Sequence, residues 1–330
     1  MKAFSAIRMF AFLAVLAGGL AVYRLGRPYR GFGEETFVDV PHGTSTGTMA
    51  RMLADAGVVR SRWDFLLARL AGRGRKLQAG EYRFDRAATP VEVYGRIARG
   101  DVFFYELVVP EGRNMFDIAA SAEKLGLFPG DEFLAAARDP RAIRDLDPRA
   151  PTLEGYLFPN TYHVGRHTTP EQLCRLMTGK FREVWRGLHV SADVHEVVTL
   201  ASLVEKEDKL GSERPLIAAV FVNRLRIGMK LDCDPTTIYA ALLHDRYRGT
   251  IYRADLERND PYNTYRSAGL PPGPIANPGM ASIDAALHPA ASGALYFVLR
   301  PDGSGAHQFS TDLAAHQQAT TKYRRGRRKK

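Results

Sequence analysis

The chain has 330 residues, 45% hydrophobic and 25% charged, which excludes global disorder and allows about two domains. Two cysteines, Cys174 and Cys233, exclude a disulfide-stapled scaffold and a cysteine-rich zinc module. The net charge of +10 sits at the ends: Lys2, Arg8, Arg24, Arg27 and Arg30 precede the first acid, Glu34, and Arg324, Arg325, Arg327, Arg328, Lys329 and Lys330 close the chain. Between them bases and acids nearly balance, whereas a nucleic-acid binder carries its positive patch on the folded unit, so no nucleic-acid partner is expected.

Residues 9–23 carry no charge, and a helix over 3–25 reaches about 34 Å, enough to cross a bilayer with Arg8 and Arg24 laying their stems toward the headgroups. A cleaved signal peptide ending near Gly19-Leu20-Ala21 fits the same stretch; the basic cluster that follows favours an uncleaved anchor over 1–30, touching membrane lipid. Residues 37–40 alternate as a strand and lead through Pro41-His42-Gly43 into a helix over 48–53. A helix over 63–71, a strand over 77–84 and a helix from Thr89-Pro90 to Arg99 follow. Strand, P-x-G turn and helix recur at 105–125, which predicts a small α+β module used twice within 31–150. The turn-rich segment from Asp139-Pro140 to Pro151 marks the boundary with a larger mixed part over 151–323, and the basic run 324–330 reads as a disordered tail. The fold class is α+β.

Some patterns carry no chemistry. Gly43-Thr44-Ser45-Thr46-Gly47 fits the G-x-S-x-G nucleophile elbow, but the flanking unit is too small for the parallel sheet that elbow needs, so Ser45 or Thr46 is read as a helix cap. Ser202 lacks a lysine three places on, since the lysine stands at Lys206. His163 and His167 stand four apart, but Gly165 and the following Thr168-Thr169-Pro170 argue for a loop, and no metal site or cofactor is expected.

The segment 197–209 (VVTLASLVEKEDK) holds the best candidate acid. On a helical wheel Val197, Leu200, Leu203 and Val204 form one apolar stripe, and Glu207 falls about 20° from its centre, whereas Glu205 lies about 140° away. A carboxyl group that continues an apolar face is desolvated and holds its proton, as a general acid must. Periodicity leaves a second reading open, in which the helix ends near Glu207 and this side chain reaches water or pairs with Arg214. Ser212 is read as the cap of the next helix, an apolar core helix in which Asn223 is either a buried ligand-orienting amide or a surface residue. Asp234 is read as a cap with Pro235 at the first position. Tyr262-Asn263-Thr264-Tyr265 and Gly269-Leu270-Pro271-Pro272-Gly273-Pro274-Ile275 form a stiff loop suited to stacking on sugars, or a rigid connector.

These stretches, with Glu154-Gly155-Tyr156-Leu157-Phe158-Pro159-Asn160-Thr161-Tyr162, Ala201-Ser202-Leu203-Val204-Glu205-Lys206-Glu207, Val220-Phe221-Val222-Asn223-Arg224-Leu225 and Asp234-Pro235-Thr236, resemble in order the signature blocks of the MltG (YceG-like) endolytic transglycosylases. His288-Pro289, Tyr296-Phe297-Val298 and Ala306-His307-Gln308-Phe309-Ser310 look similar as well. Three positions depart from the pattern: Asn160, Cys233 and Asp208, the last of which would raise the pKa of Glu207 by repulsion. The resemblance implies an inner-membrane enzyme with its catalytic domain in the periplasm and a LysM-like, glycan-binding N-terminal region. It implies endolytic cleavage of peptidoglycan strands to 1,6-anhydro ends, linked to termination of nascent strands, with peptidoglycan synthases as partners. The family's catalytic glutamate maps onto Glu207; Glu205, Asn223, Tyr262, Asn263 and Tyr265 are the expected substrate contacts. A water-using muramidase would instead pair Glu207 with Glu154, Asp232 or Asp234.

Overall fold

The computed structural model describes residues 2–327, and tertiary contacts divide the chain into two compact units, Met1–Tyr105 and Glu106–Lys330. The first begins with α1 (Lys2–Gly26), which contains an apolar stretch at Arg8–Gly26 of mean hydropathy 1.7, long enough to cross a membrane. After it come β1 (Thr36–Val40), α2 (Thr46–Asp55), α3 (Arg62–Ala71), β2 (Gly80–Phe84) and α4 (Pro90–Arg99). β1 and β2 pair antiparallel with Val38 opposite Tyr82. Their alternation buries Val38, Val40, Tyr82 and Phe84 in a core with Met49, Leu53, Phe65, Val93 and Ile97. Ser45 caps α2 by accepting from the Thr48 N–H at 3.2 Å, which accounts for the G-x-S-x-G segment. Arg24 departs from expectation: it forms an ion pair at 3.0 Å with the buried Asp64 of α3, because a buried carboxylate needs a cation more than the lipid boundary does.

The second unit carries all but the first residue of β3 (Tyr105–Val109), then α5 (Met115–Lys124), α6 (Gly130–Ala137), β4 (Asn160–Val164), α7 (Pro170–Gly187) and α8 (Val194–Glu207). It continues with α9 (Arg214–Arg226), α10 (Asp234–Leu243), α11 (Arg253–Leu256), α12 (Met280–Leu287), β5 (Tyr296–Leu299), β6 (His307–Ser310) and α13 (Leu313–Arg327). β3 pairs with β4, and β5 with β6 in an antiparallel hairpin. α8 lies at the centre, packed on α9, α10 and α12.

Three expectations are corrected. The strand–turn–helix pattern does recur, with Gly43 and Gly112 both at positive φ, but the second copy pairs with β4 and packs α5 on α6, so the module is not repeated. No boundary falls near residue 150. There the buried Glu154 accepts from the Met115 N–H at 2.9 Å and from Asn277 Nδ2 at 2.8 Å, and Asn277 also holds the Leu157 N–H at 2.9 Å. A turn-rich composition marks an irregular path, and here that path is stitched into one core. Finally, the basic run is helical as far as Arg327, since cations at a helix C-terminus are favoured by its dipole; residues 328–330 lie outside the described residues.

Candidate active site

Asp193 starts α8 by accepting from the Glu196 N–H at 3.1 Å, and the helix is buried almost all round from Val194 to Val204. It ends on Glu207. Asp208 leaves in extended backbone, and its carboxylate accepts from the Gly211 N–H at 2.8 Å and lies 3.2 Å from Arg214 Nε. Of the two readings of this helix end, each is half right. The helix stops at Glu207, but Arg214 pairs with Asp208 and Glu205 and leaves Glu207 alone. Asp208, turned to Arg214, is also not what raises the Glu207 pKa.

Glu205 and Glu207 are both withdrawn from water, and their partners separate them. The Glu205 carboxylate accepts from the Gly279 N–H at 3.0 Å and the Ser282 hydroxyl at 2.7 Å, and lies 3.6 Å from Arg214. It is 7% exposed and fastens α12 to α8. Glu207 receives one weak donor, the Cys233 thiol, with Sγ 3.3 Å from Oε1. Burial is the largest influence on Glu207 and raises its pKa; the thiol opposes this, the Asp234 carboxylate adds to it, and His307 and Lys209 oppose it. Its place at the negative end of α8 also favours the neutral acid.

Cys233 is held firmly. Its N–H donates to Thr264 Oγ1 at 3.0 Å, its carbonyl accepts from the Thr236 hydroxyl at 2.7 Å, and the two threonine oxygens lie 3.0 Å apart. Cys233 itself takes the cap position of α10, with Asp234 and Pro235 inside the first turn. Asp234 does not cap; it accepts from the Tyr265 hydroxyl at 2.6 Å. Burial, together with the neighbouring Glu207, pushes the Cys233 thiol well above its ordinary pKa, so it remains an S–H donor. Glu213, not Ser212, precedes α9, and its carboxylate is turned to His307, at 2.7 Å from Nδ1 and 3.0 Å from the backbone nitrogen. Exposed Lys209, Asp232 and Asp234 open this position toward solvent.

The expected sugar contacts divide sharply. Asn223 donates from Nδ2 to the Ser292 and Ala294 carbonyls at 2.7 and 2.9 Å, and Arg224 beside it donates to the Leu295 and Leu231 carbonyls. The pair anchors the approach to β5. Asn263 is 1% exposed and spends its amide on the Asp255, Leu256 and Arg258 carbonyls. Tyr262 is buried against Tyr239, with ring centroids 5.1 Å apart. Glu205, Asn223 and Asn263 thus spend their polar groups inside the fold, as a polar group in a core must, and Tyr262 packs its ring there. Tyr265 alone combines partial exposure with a place beside the acid's surroundings. Of the possible second acids, Glu154 is enclosed and pushed up to about 8 by burial, and Asp232 is held 3.9 Å from Arg224. Sequence reasoning missed Thr236, Thr264, Glu213 and the part played by Cys233; D-C-D-P-T-T and Y-N-T-Y were visible as motifs, but their hydroxyl clamp needs the two to meet. Among the described residues no group of His, Cys, Asp and Glu is placed to hold a metal.

One carboxyl group with a pKa raised by burial, bordered by exposed side chains, can give a proton to a leaving oxygen and take one back. The model of the YceG-like family matches residues 38–322 of this chain. An endolytic murein transglycosylase of Bacillus subtilis is 31% identical over 307 residues, covering 87% of this chain and 84% of the relative. The protein of that name from Streptococcus pneumoniae is 29% identical over 79% of this chain, which spans about half (53%) of that longer relative. A crystal structure of a YceG-like protein from Listeria monocytogenes superposes with a TM-score of 0.56 at 30% identity, covering 87% of this chain and 99% of the other.

Proposed function

This chain belongs to the YceG-like family, and from that premise we propose that it is an endolytic murein transglycosylase with Glu207 as its catalytic acid and base. The observation that carries this reading is the state of Glu207: largely withdrawn from water, with a thiol as its hydrogen-bond donor among the described residues, and raised in pKa by that burial beside exposed neighbours. Glu207 protonates the glycosidic oxygen between MurNAc and GlcNAc as the C1–O bond breaks. The N-acetyl oxygen stabilises the oxocarbenium-like C1. The carboxylate of Glu207 then takes the proton of the C6 hydroxyl, whose oxygen closes a 1,6-anhydro ring on C1. No water is consumed, so a single carboxyl group serves where hydrolases need two. Tyr265, tied to Asp234, is the side chain we assign to the sugar. The N-terminal region is assigned to glycan binding, α1 to anchoring in the inner membrane with the second unit on the periplasmic side, and the reaction to strand termination beside the synthases.

Weighing the ends made from purified glycan strands tests the reading. Anhydro ends, lighter than reducing ends by one water, are expected; reducing ends would show a hydrolase, and intact strands a protein without this activity.

A further inference from the structure

The first unit contains a cleft of about 1050 Å³ that the proposed reaction does not use. Small residues, among them Ala71, Gly72, Ala88 and Ala98, line it, and five arginines with three acids complete the wall. Each acid is already engaged. Glu92 accepts from the Thr89 N–H at 2.7 Å as part of the α4 capping box, Asp101 holds Arg99 at 2.7 Å, and Asp85 lies 3.9 Å from Arg83. Arg96 is also taken, donating to the Arg83 carbonyl at 2.8 Å. Arg73, Arg75 and Arg86 remain, with no ion pair or side-chain hydrogen bond among the described residues. Arg86 feels the Glu92 carboxylate through space, and the planar forks of the three guanidiniums around one concavity match phosphate oxygens two at a time.

The position of the cleft narrows the ligand. Ala88, on its wall, exchanges backbone hydrogen bonds with Tyr29 at 3.0 and 3.2 Å, three residues after α1 ends. α4, which supplies much of the wall, packs against α1 itself. We propose that this arginine-lined cleft binds the phosphate headgroup of an anionic membrane lipid, an inference that rests on reading α1 as a membrane anchor.

The test uses the full chain and its Arg73→Glu/Arg75→Glu/Arg86→Glu variant in discs of phosphatidylcholine, with or without phosphatidylglycerol. Backbone hydrogen exchange over 71–76 and 85–99 is the readout. The expected result is exchange slowed several-fold by phosphatidylglycerol in the wild type and unchanged in the variant, with α2 protected equally in both. Equal exchange in the two lipids, or slowing that survives the three reversals, overturns the proposal. Slowing by added inorganic phosphate but not by phosphatidylglycerol assigns the cleft to a soluble phosphate and overturns the lipid as its source. Incorporation into phosphatidylcholine discs reports separately on the anchor, so its failure is distinguishable from that of the cleft.

Discussion

Glu207 and Cys233 form the contact on which the chemistry turns, and its sign can be worked out. The thiol hydrogen bond lowers the pKa of Glu207, and the Asp234 charge raises it. Activity requires the protonated acid, so kcat/KM falls as pH rises through that pKa. Cys233→Ala removes the donor and should move the alkaline limb of the pH–rate profile upward; Cys233→Ser keeps a donor and should leave it nearly in place. Asp234→Asn should move the limb downward. A limb indifferent to all three would show that another group titrates there. Glu205 makes a contrasting prediction: Glu205→Ala leaves the Gly279 N–H and the Ser282 hydroxyl without their acceptor, while Arg214 keeps Asp208, and should cost about 1–3 kcal/mol of stability, read from the denaturant midpoint. The helical wheel singled out Glu207 in the sequence, but it took Glu205 to lie off the buried face. Both carboxyl groups are drawn inward at the end of α8, and only long-range partners, Gly279 and Ser282 on one side and Cys233 on the other, tell them apart.

At the scale of elements, the loop at 269–275 is held to α8. The Ser202 hydroxyl accepts from the Ile275 N–H at 3.1 Å and donates to the Thr199 carbonyl at 2.7 Å. Gly155 meets the same loop with φ of +87°, and a Cβ there would lie 2.4 Å from Pro274 Cγ and 2.9 Å from Val198 Cγ1. Gly155→Ala should therefore destabilise the second unit by about 2–4 kcal/mol, from backbone strain and overpacking together; a melting temperature equal to the wild type's would contradict this packing. Local patterns made α1–α5, α8–α10 and β1–β3 legible, including 37–40 against β1 and 90–99 against α4, whereas α6, α7, α11–α13 and β4 were not singled out. Caps were less so. Ser212 and Asp234 had the right chemistry, but Glu213 and Cys233 took the positions because their neighbours His307 and Thr264 come from far along the chain.

For the whole molecule, Glu154 links stability to pH. Its folded pKa of about 8 stands above the ordinary 4.5, so the stability it contributes is complete below 4.5 and is lost as pH rises toward about 8. The denaturant midpoint should fall across that window, and Glu154→Gln should flatten the slope; an unchanged slope would mean that Glu154 is ionised in the folded state. The same residue explains why composition misplaced the domain boundary: no local pattern discloses that Glu154 will be buried against Met115 and Asn277. Charge bookkeeping, by contrast, put the basicity at the ends, and the apolar stretch of α1 fell where hydropathy set it. The most direct measurement of the central claim is the rate of anhydro-end formation by Glu207→Gln with its melting temperature. A rate lower by about 10²–10⁴ at unchanged stability is predicted, and a variant that still cuts strands at the wild-type rate would contradict it.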